Sequence, residues 1–318
     1  MTGASASPTM HRYSPDSIVP DWPVAARVRA FTTLRTGGVS TGAHGLPDGR
    51  AGGWNLGAAC DDDPAHVAQN RRLLRAWLPA EPVWLRQVHG TAVWRADDPA
   101  AADLMAPEAV ALGLDCAPAA DAAVTARPGQ VLVIQTADCL PVFFASESGD
   151  AVGVAHAGWR GLAAGVLEQT MAALRGIAAD GQRWHAWLGP AIGPDCFEVG
   201  DEVREAFVTH DPKAAPAFRP AAQPAKWWAD LYELARQRLR AVGLATIGGR
   251  AYCTVCDPHR FYSYRRDRQT GRMASLIWIE DGRGGGGADL GNVRAAGRED
   301  AGDDDAGRRA GQTANEET

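Results

Sequence analysis

Apolar and polar positions along the chain alternate between two rhythms, and each predicts a different element. Val67, Leu73, Leu74, Trp77 and Leu78 recur at helical spacing behind Asp63-Pro64, an N-cap and first-turn pair. Leu162, Val166, Leu167 and Leu174 predict a second helix. Leu231, Leu234, Ala235, Leu239 and Val242 predict a third, closed by Gly243. Between them lie short apolar runs of strand type: Val131–Gln135, Leu140–Ala145, Ala151–Ala155 after a Ser-Glu-Ser-Gly-Asp turn, and a buried final strand at Met273–Ile279. Strands and helices mix without a repeating βα period. The pattern therefore favours an α+β fold, mixed β-sheets packed with helices in a single large domain, over a doubly wound one.

The pattern fades at both ends. Residues 1–20 are polar and unpatterned, and 282–318 form a Gly-rich acidic tail, so both read as disordered extensions of a domain at 21–281. The stretch 97–120, rich in Asp, Pro and Ala, reads as a surface insertion. Charge follows the same division. Of the net charge of −6, the segment 281–318 carries −4, from nine acidic and five basic residues. The remainder is nearly neutral, which speaks against nucleic-acid or membrane-surface partners. No run approaches a membrane span and the first residues lack a signal-peptide core, so a cytoplasmic protein, monomer or homodimer, is expected. Six cysteines are too sparse for a disulfide scaffold and read as reduced thiols. Neither a GxGxxG nor a Walker loop occurs, which argues against a dinucleotide or P-loop enzyme.

Three segments place a potential ligand where a strand should end: Gln87-Val88-His89-Gly90, Thr136-Ala137-Asp138-Cys139 and His156-Ala157-Gly158-Trp159-Arg160-Gly161. Two imidazoles and a thiolate form a soft donor set that suits Zn²⁺, with copper possible. Three protein ligands leave a position for water, as catalytic sites do. The same residues admit another reading, a Cys139 nucleophile activated by His156, with Asp138 orienting the histidine. Cys253-Thr254-Val255-Cys256 is a single CxxC without a partner pair, so Cys256 and His259 read as incidental. His44, His66, His185 and His210 have no constellation around them, and Trp227-Trp228 reads as packing.

The chain also contains, in order, Arg35-Thr36-Gly37-Gly38-Val39-Ser40, Asn55-Leu56-Gly57, Asp62-Asp63-Pro64 with Asn70-Arg71, Gln87 to Gly90, Thr136 to Val142 and His156 to Leu162. These are followed by Gly189 to Pro194, Cys196 to Gly200, Tyr262 to Asp267 and Thr270 to Ser275. Over about 25–280 this resembles the laccase-domain purine nucleoside phosphorylase family, also labelled polyphenol oxidase or peptidoglycan editing factor. The resemblance implies His89, Cys139 and His156 as the metal triad. It implies phosphorolysis of adenosine, inosine, guanosine and methylthioadenosine to base and pentose 1-phosphate, together with deamination of adenosine. Within that expectation Asp138 is either a proton carrier or a partner orienting a histidine. Arg35, Arg160 and Arg265 are candidate phosphate holders, Arg160 at a helix start where an anion is favoured. Asn55 and Gln87 are candidates for hydrogen bonds to sugar or base. Copper-dependent phenol oxidation is the competing metal chemistry, although one His₂Cys site lacks the several coppers of four-electron oxygen reduction.

Overall fold

In the computed structural model the described residues are 17–98, 117–249 and 252–281. Residues 1–16, the tail at 282–318 and most of the 97–120 stretch lie outside them. Ile18, assigned by the sequence to the N-terminal extension, exchanges two backbone hydrogen bonds with Thr32 at 2.9 and 2.8 Å. The folded chain therefore includes residues ahead of 21.

The architecture is α+β in four layers, and the strand patterns explain why. The central sheet has six strands in the order β12-β8-β6-β7-β4-β3. Its core is β4 (Ala122–Thr125), β6 (Leu140–Ser146), β7 (Val152–Ala157) and β8 (Trp184–Leu188), with β3 (Val93–Arg95) and β12 (Thr246–Gly248) at the edges. The edge strands pair in parallel and the inner ones antiparallel. Every residue of β4, β6, β7 and β8 is buried. Alternate side chains go to opposite cores. Val124, Val142, Phe144 and Ala186 meet the helices α3 (Val166–Arg175) and α5 (Leu231–Ala241). Phe143, Val152, Val154 and Trp187 meet a second sheet.

That second sheet runs β1-β13-β5, from Val28–Thr32, Met273–Ile279 and Leu132–Thr136. Ile277 and Leu132 point to the shared core, while Leu276, Trp278 and Val133 pack with Leu74 and Leu78 at α1 (Pro64–Arg75). Being covered on both faces is what makes these antiparallel strands continuous apolar runs. The Asp63 carboxylate caps α1 by accepting the Ala65 N–H. Trp77, expected on the buried face of that helix, is 42% exposed because α1 ends at Arg75.

The helix expected through 162–174 is two helices. Gly165 stands at φ 99°, a left-handed conformation open to glycine, and separates α2 (Trp159–Ala164) from α3. A small third sheet, β10-β11-β9, is formed by Phe218–Pro220, Lys226–Ala229 and Glu198–Gly200. On it Trp227 packs against the main core and donates to Asp201. Among the described residues the other α-helices are α4 (Asp201–Val208) and α6 (Tyr264–Asp267). No helix of the described residues is long and apolar enough to cross a membrane.

Candidate metal centre

Two strand ends and a loop converge where the two main sheets meet. Cys139 sits on the turn that carries the chain from β5 in one sheet to β6 in the other, and Asp138 turns it at φ 92°. His156 is the penultimate residue of β7, registered with Pro141 of β6. His89 comes from a loop, at φ 60°. The ligand atoms of the three side chains all lie within 4.8 Å of one another. Cys139 Sγ and His89 Nε2 are 3.7 Å apart, and the two imidazoles meet edge to face at 4.7 Å.

Asp121, the residue just before β4, assembles this cluster, and the sequence reading missed it. Its side chain is fully buried. Oδ1 accepts from His156 Nδ1 at 2.8 Å and from the His89 N–H at 2.9 Å. Oδ2 accepts from the N–H groups of Gly90 (2.7 Å) and Val88 (3.2 Å). One carboxylate thus fixes both the loop that carries His89 and the tautomer of His156, whose Nε2 is left to face the cluster. Burial would raise the Asp121 carboxyl, but His156 and the backbone N–H groups hold it below the usual carboxylate range. The signal was present in the sequence as an acidic residue opening a fully buried strand.

Glycines supply the closeness. A Cβ on Gly158 would stand 2.8 Å from His89 Cδ2 and 3.1 Å from Cys139 Sγ, and one on Gly161 would stand 2.7 Å from the Gly90 carbonyl oxygen. Gln87 clamps the other end of the loop by bonding both the N–H and the carbonyl of Gln135, at 2.8 and 2.9 Å. It braces the loop onto β5, so its amide is occupied by protein.

The other expected binding residues divide sharply. Asn55 is fully buried and satisfied by Gly57, Asp62 and Arg272. Arg35 is buried, and its guanidinium donates to the carbonyls of Gly45, Leu46 and Pro258. Both organise loops and neither is free for substrate. Asp138 reaches neither histidine: Oδ1 accepts the Thr254 hydroxyl at 2.5 Å and Oδ2 the Arg265 N–H at 2.6 Å. The carboxylate that orients a histidine is Asp121. Arg265 also donates to the Glu198 carbonyl. Arg160 alone of the three phosphate candidates is exposed, lying over the Trp159 ring at 4.4 Å with no hydrogen bond to the described residues. With six residues, α2 is too short to add a dipole of consequence there.

Two further expectations change. His44 and His66 do share a partner, since their Nδ1 atoms lie 3.6 and 3.7 Å from Asp62. Cys256, read as incidental, lies beside another thiol, its sulfur 3.3 Å from that of Cys196.

The triad fits a soft ion. Ligand bonds of about 2.0 Å to nitrogen and 2.3 Å to sulfur place tetrahedral donors roughly 3.5 Å apart, close to the observed S···N separation. Burial alone would push the Cys139 thiol up, yet His156 and His89 beside it bring it down to about 6. Burial likewise opposes a proton on His156, yet Cys139 and Asp121 hold the imidazole at about 9. In chelator-treated protein Cys139 is therefore a thiolate above pH about 6, paired with imidazolium up to pH about 9. Its alkylation by iodoacetamide should rise with a midpoint near pH 6, and a midpoint near the free-thiol value of about 8.5 would contradict the pairing.

Fold and site together define an α+β domain with a two-histidine, one-cysteine cluster able to hold a metal ion. The family described as multi-copper polyphenol oxidoreductase laccase matches residues 29–280, and the chain belongs to it. It is 48% identical over 264 residues to a purine nucleoside phosphorylase of Pseudomonas aeruginosa, covering 83% of this chain and 98% of that one. A purine nucleoside phosphorylase of Escherichia coli is 47% identical over 265 residues, covering 82% and 98%. The crystal structure of a Neisseria meningitidis protein aligns with TM-score 0.71 at 42% identity, covering 84% of this chain and all of that one.

Proposed function

We propose that the protein is a metal-dependent purine nucleoside phosphorylase that also deaminates adenosine, with Zn²⁺ or copper held by His89, Cys139 and His156. The observation that carries the reading is the convergence of those three donors, with the ring of His156 and the backbone of His89 held by one buried carboxylate, Asp121. The phosphorylase names of relatives close to half identical over nearly their whole length support it.

In phosphorolysis the glycosidic bond breaks, its electron pair goes to the base with a proton, and phosphate bonds to C1′. In deamination water replaces the amine at C6 and ammonia leaves. A metal in the triad would supply Lewis acidity. The chain's own residues present the donors: Asp121 fixes the ring of His156, and Gly158 keeps the approach to Cys139 open. Arg160, whose guanidinium lies over the Trp159 ring and makes no hydrogen bond to the described residues, is the residue assigned to phosphate. Asp138 and Arg265 are positioning residues that hold the Thr254 turn beside the Cys139 strand end.

Metal-replete protein incubated with adenosine and phosphate should release adenine and ribose 1-phosphate, with inosine from the parallel deamination. Arg160→Ala should raise KM for phosphate about tenfold with less change in kcat, the loss of one charge-assisted contact of roughly 1.5 kcal/mol. Absence of all three products would end the proposal.

The low thiol of Cys139 also suits a thiol hydrolase acting on cell-wall precursors. One more ion per chain in wild type than in Cys139→Ala, lost together with activity on chelation, would exclude a free nucleophile.

A further inference from the structure

Outside the site just described, Cys196, Cys253 and Cys256 bring three sulfurs within 4.8 Å of one another, with Cys196 and Cys256 3.3 Å apart. Isolated thiols in proteins are mostly small apolar fillers. These are not packed that way: Cys196 and Cys253 are half-buried and Cys256 is exposed.

The loops that carry them are pinned from several sides. Cys196 and Phe197 donate their N–H groups to the Gly193 carbonyl. The turn from Cys253 to Cys256 is held by the Thr254 N–H on the Ala191 carbonyl (3.1 Å) and by the Thr254 hydroxyl on Asp138. Arg266 Nη1 adds bonds to the carbonyls of Thr254 (2.8 Å) and Val255 (3.1 Å). The Gly193 N–H points at the Cys253 sulfur at 3.4 Å, the kind of support that a ligand thiolate uses. Gly193 also leaves the space, since a Cβ there would stand 3.2 Å from that sulfur.

We propose that Cys196, Cys253 and Cys256 form a second metal site, a three-thiolate cradle for a soft ion, Zn²⁺ or Cu⁺. Metal–sulfur bonds of about 2.3 Å set neighbouring sulfurs roughly 3.8 Å apart, within the range these three already occupy. Exposed Cys256 gives the ion its access route, and thiols still protonated release their protons as it binds. A disulfide between Cys196 and Cys256 is the rival use of the same sulfurs. It would leave Cys253 with its Gly193 hydrogen bond but no role.

The test uses the full-length Cys139→Ala protein, which lacks the thiolate of the first site. After chelation under reducing conditions it is dialysed against Zn²⁺ alone or Cu⁺ alone, and bound metal is measured. About one ion per chain is expected with at least one of them, and Co²⁺ in its place should give thiolate-to-metal charge-transfer absorption. Adding Cys256→Ser should weaken binding about a hundredfold or more, since removing a ligand exceeds the tenfold to hundredfold cost of removing a ligand's support. Cys256→Ser alone should lower the wild-type content from about two ions per chain to about one. The proposal fails if Cys139→Ala retains neither ion, if Cys256→Ser leaves affinity unchanged, or if mass spectrometry of freshly isolated, unreduced protein finds Cys196 and Cys256 joined.

Discussion

Asp121→Asn should weaken metal binding at the His89–Cys139–His156 centre by about 10- to 100-fold, measured by competition with a chelator. An asparagine fills the same volume but keeps one acceptor oxygen where the carboxylate used two. Its NH₂ group must then face either the N–H groups of Val88 and Gly90 or those of His89 and His156, which Asp121 now receives at 2.7–3.2 Å. Whichever way the amide turns, donors oppose donors in a fully buried place. The stability cost should be about 3–5 kcal/mol, the usual result of breaking a buried charged network on one side. The pH response separates this from generic damage. Asp121 has a depressed carboxyl, so its contribution is present above the unfolded carboxyl value and is lost as pH falls through the lower folded one. Wild type should lose that stability on acidification, and the variant should lack the corresponding step. Unchanged chelator competition in Asp121→Asn would show that His156 needs no such partner.

The fold was legible where burial imposes a period. The strands at 131–135, 140–145 and 273–279 are buried on both faces because two sheets and two helical layers enclose them, and such runs read clearly in sequence. The break at Gly165 was not legible, because glycine at a helical position shows its left-handed φ only once the neighbouring helices pack. The triad was legible through its motifs, since strand ends put His156 and Cys139 side by side. The carboxylate that organises it was not. Asp121 follows the Asp-, Pro- and Ala-rich stretch 97–120 and lies 35 residues from His156 in sequence, so only the β4–β7 pairing makes them neighbours. The same limit explains Asn55, Gln87 and Arg35. Their residue types suggest hydrogen bonds to a substrate, but the structure spends those hydrogen bonds on carbonyls and amides of their own loops. Cys196 and Cys256 likewise meet across 60 residues, a distance that no local pattern spans.

Gly158→Ala should remove metal from the same centre by a different route, with the fold left standing. Gly158 caps α2 at φ −63° and ψ 153°, a conformation any residue adopts, so alanine brings no backbone strain. The conflict is steric alone: the new methyl would stand 2.8 Å from His89 Cδ2 and 3.1 Å from Cys139 Sγ. His89 is exposed on a loop and can move outward, whereas Cys139 is anchored at the start of a buried strand. The expected result is displacement of the imidazole by enough to break the donor set. Chelator competition should then show affinity down about a hundredfold, a displaced ligand costing at least as much as a lost ligand support. Unfolding free energy should fall by only about 1–3 kcal/mol, the ordinary cost of overpacking. Asp121→Asn and Gly158→Ala thus differ in the ratio of the two readouts. The first strikes fold and site together through a shared carboxylate, and the second strikes the site through a single methyl. A Gly158→Ala protein that kept full metal affinity would mean that the loop carrying His89 absorbs the methyl without breaking the donor set.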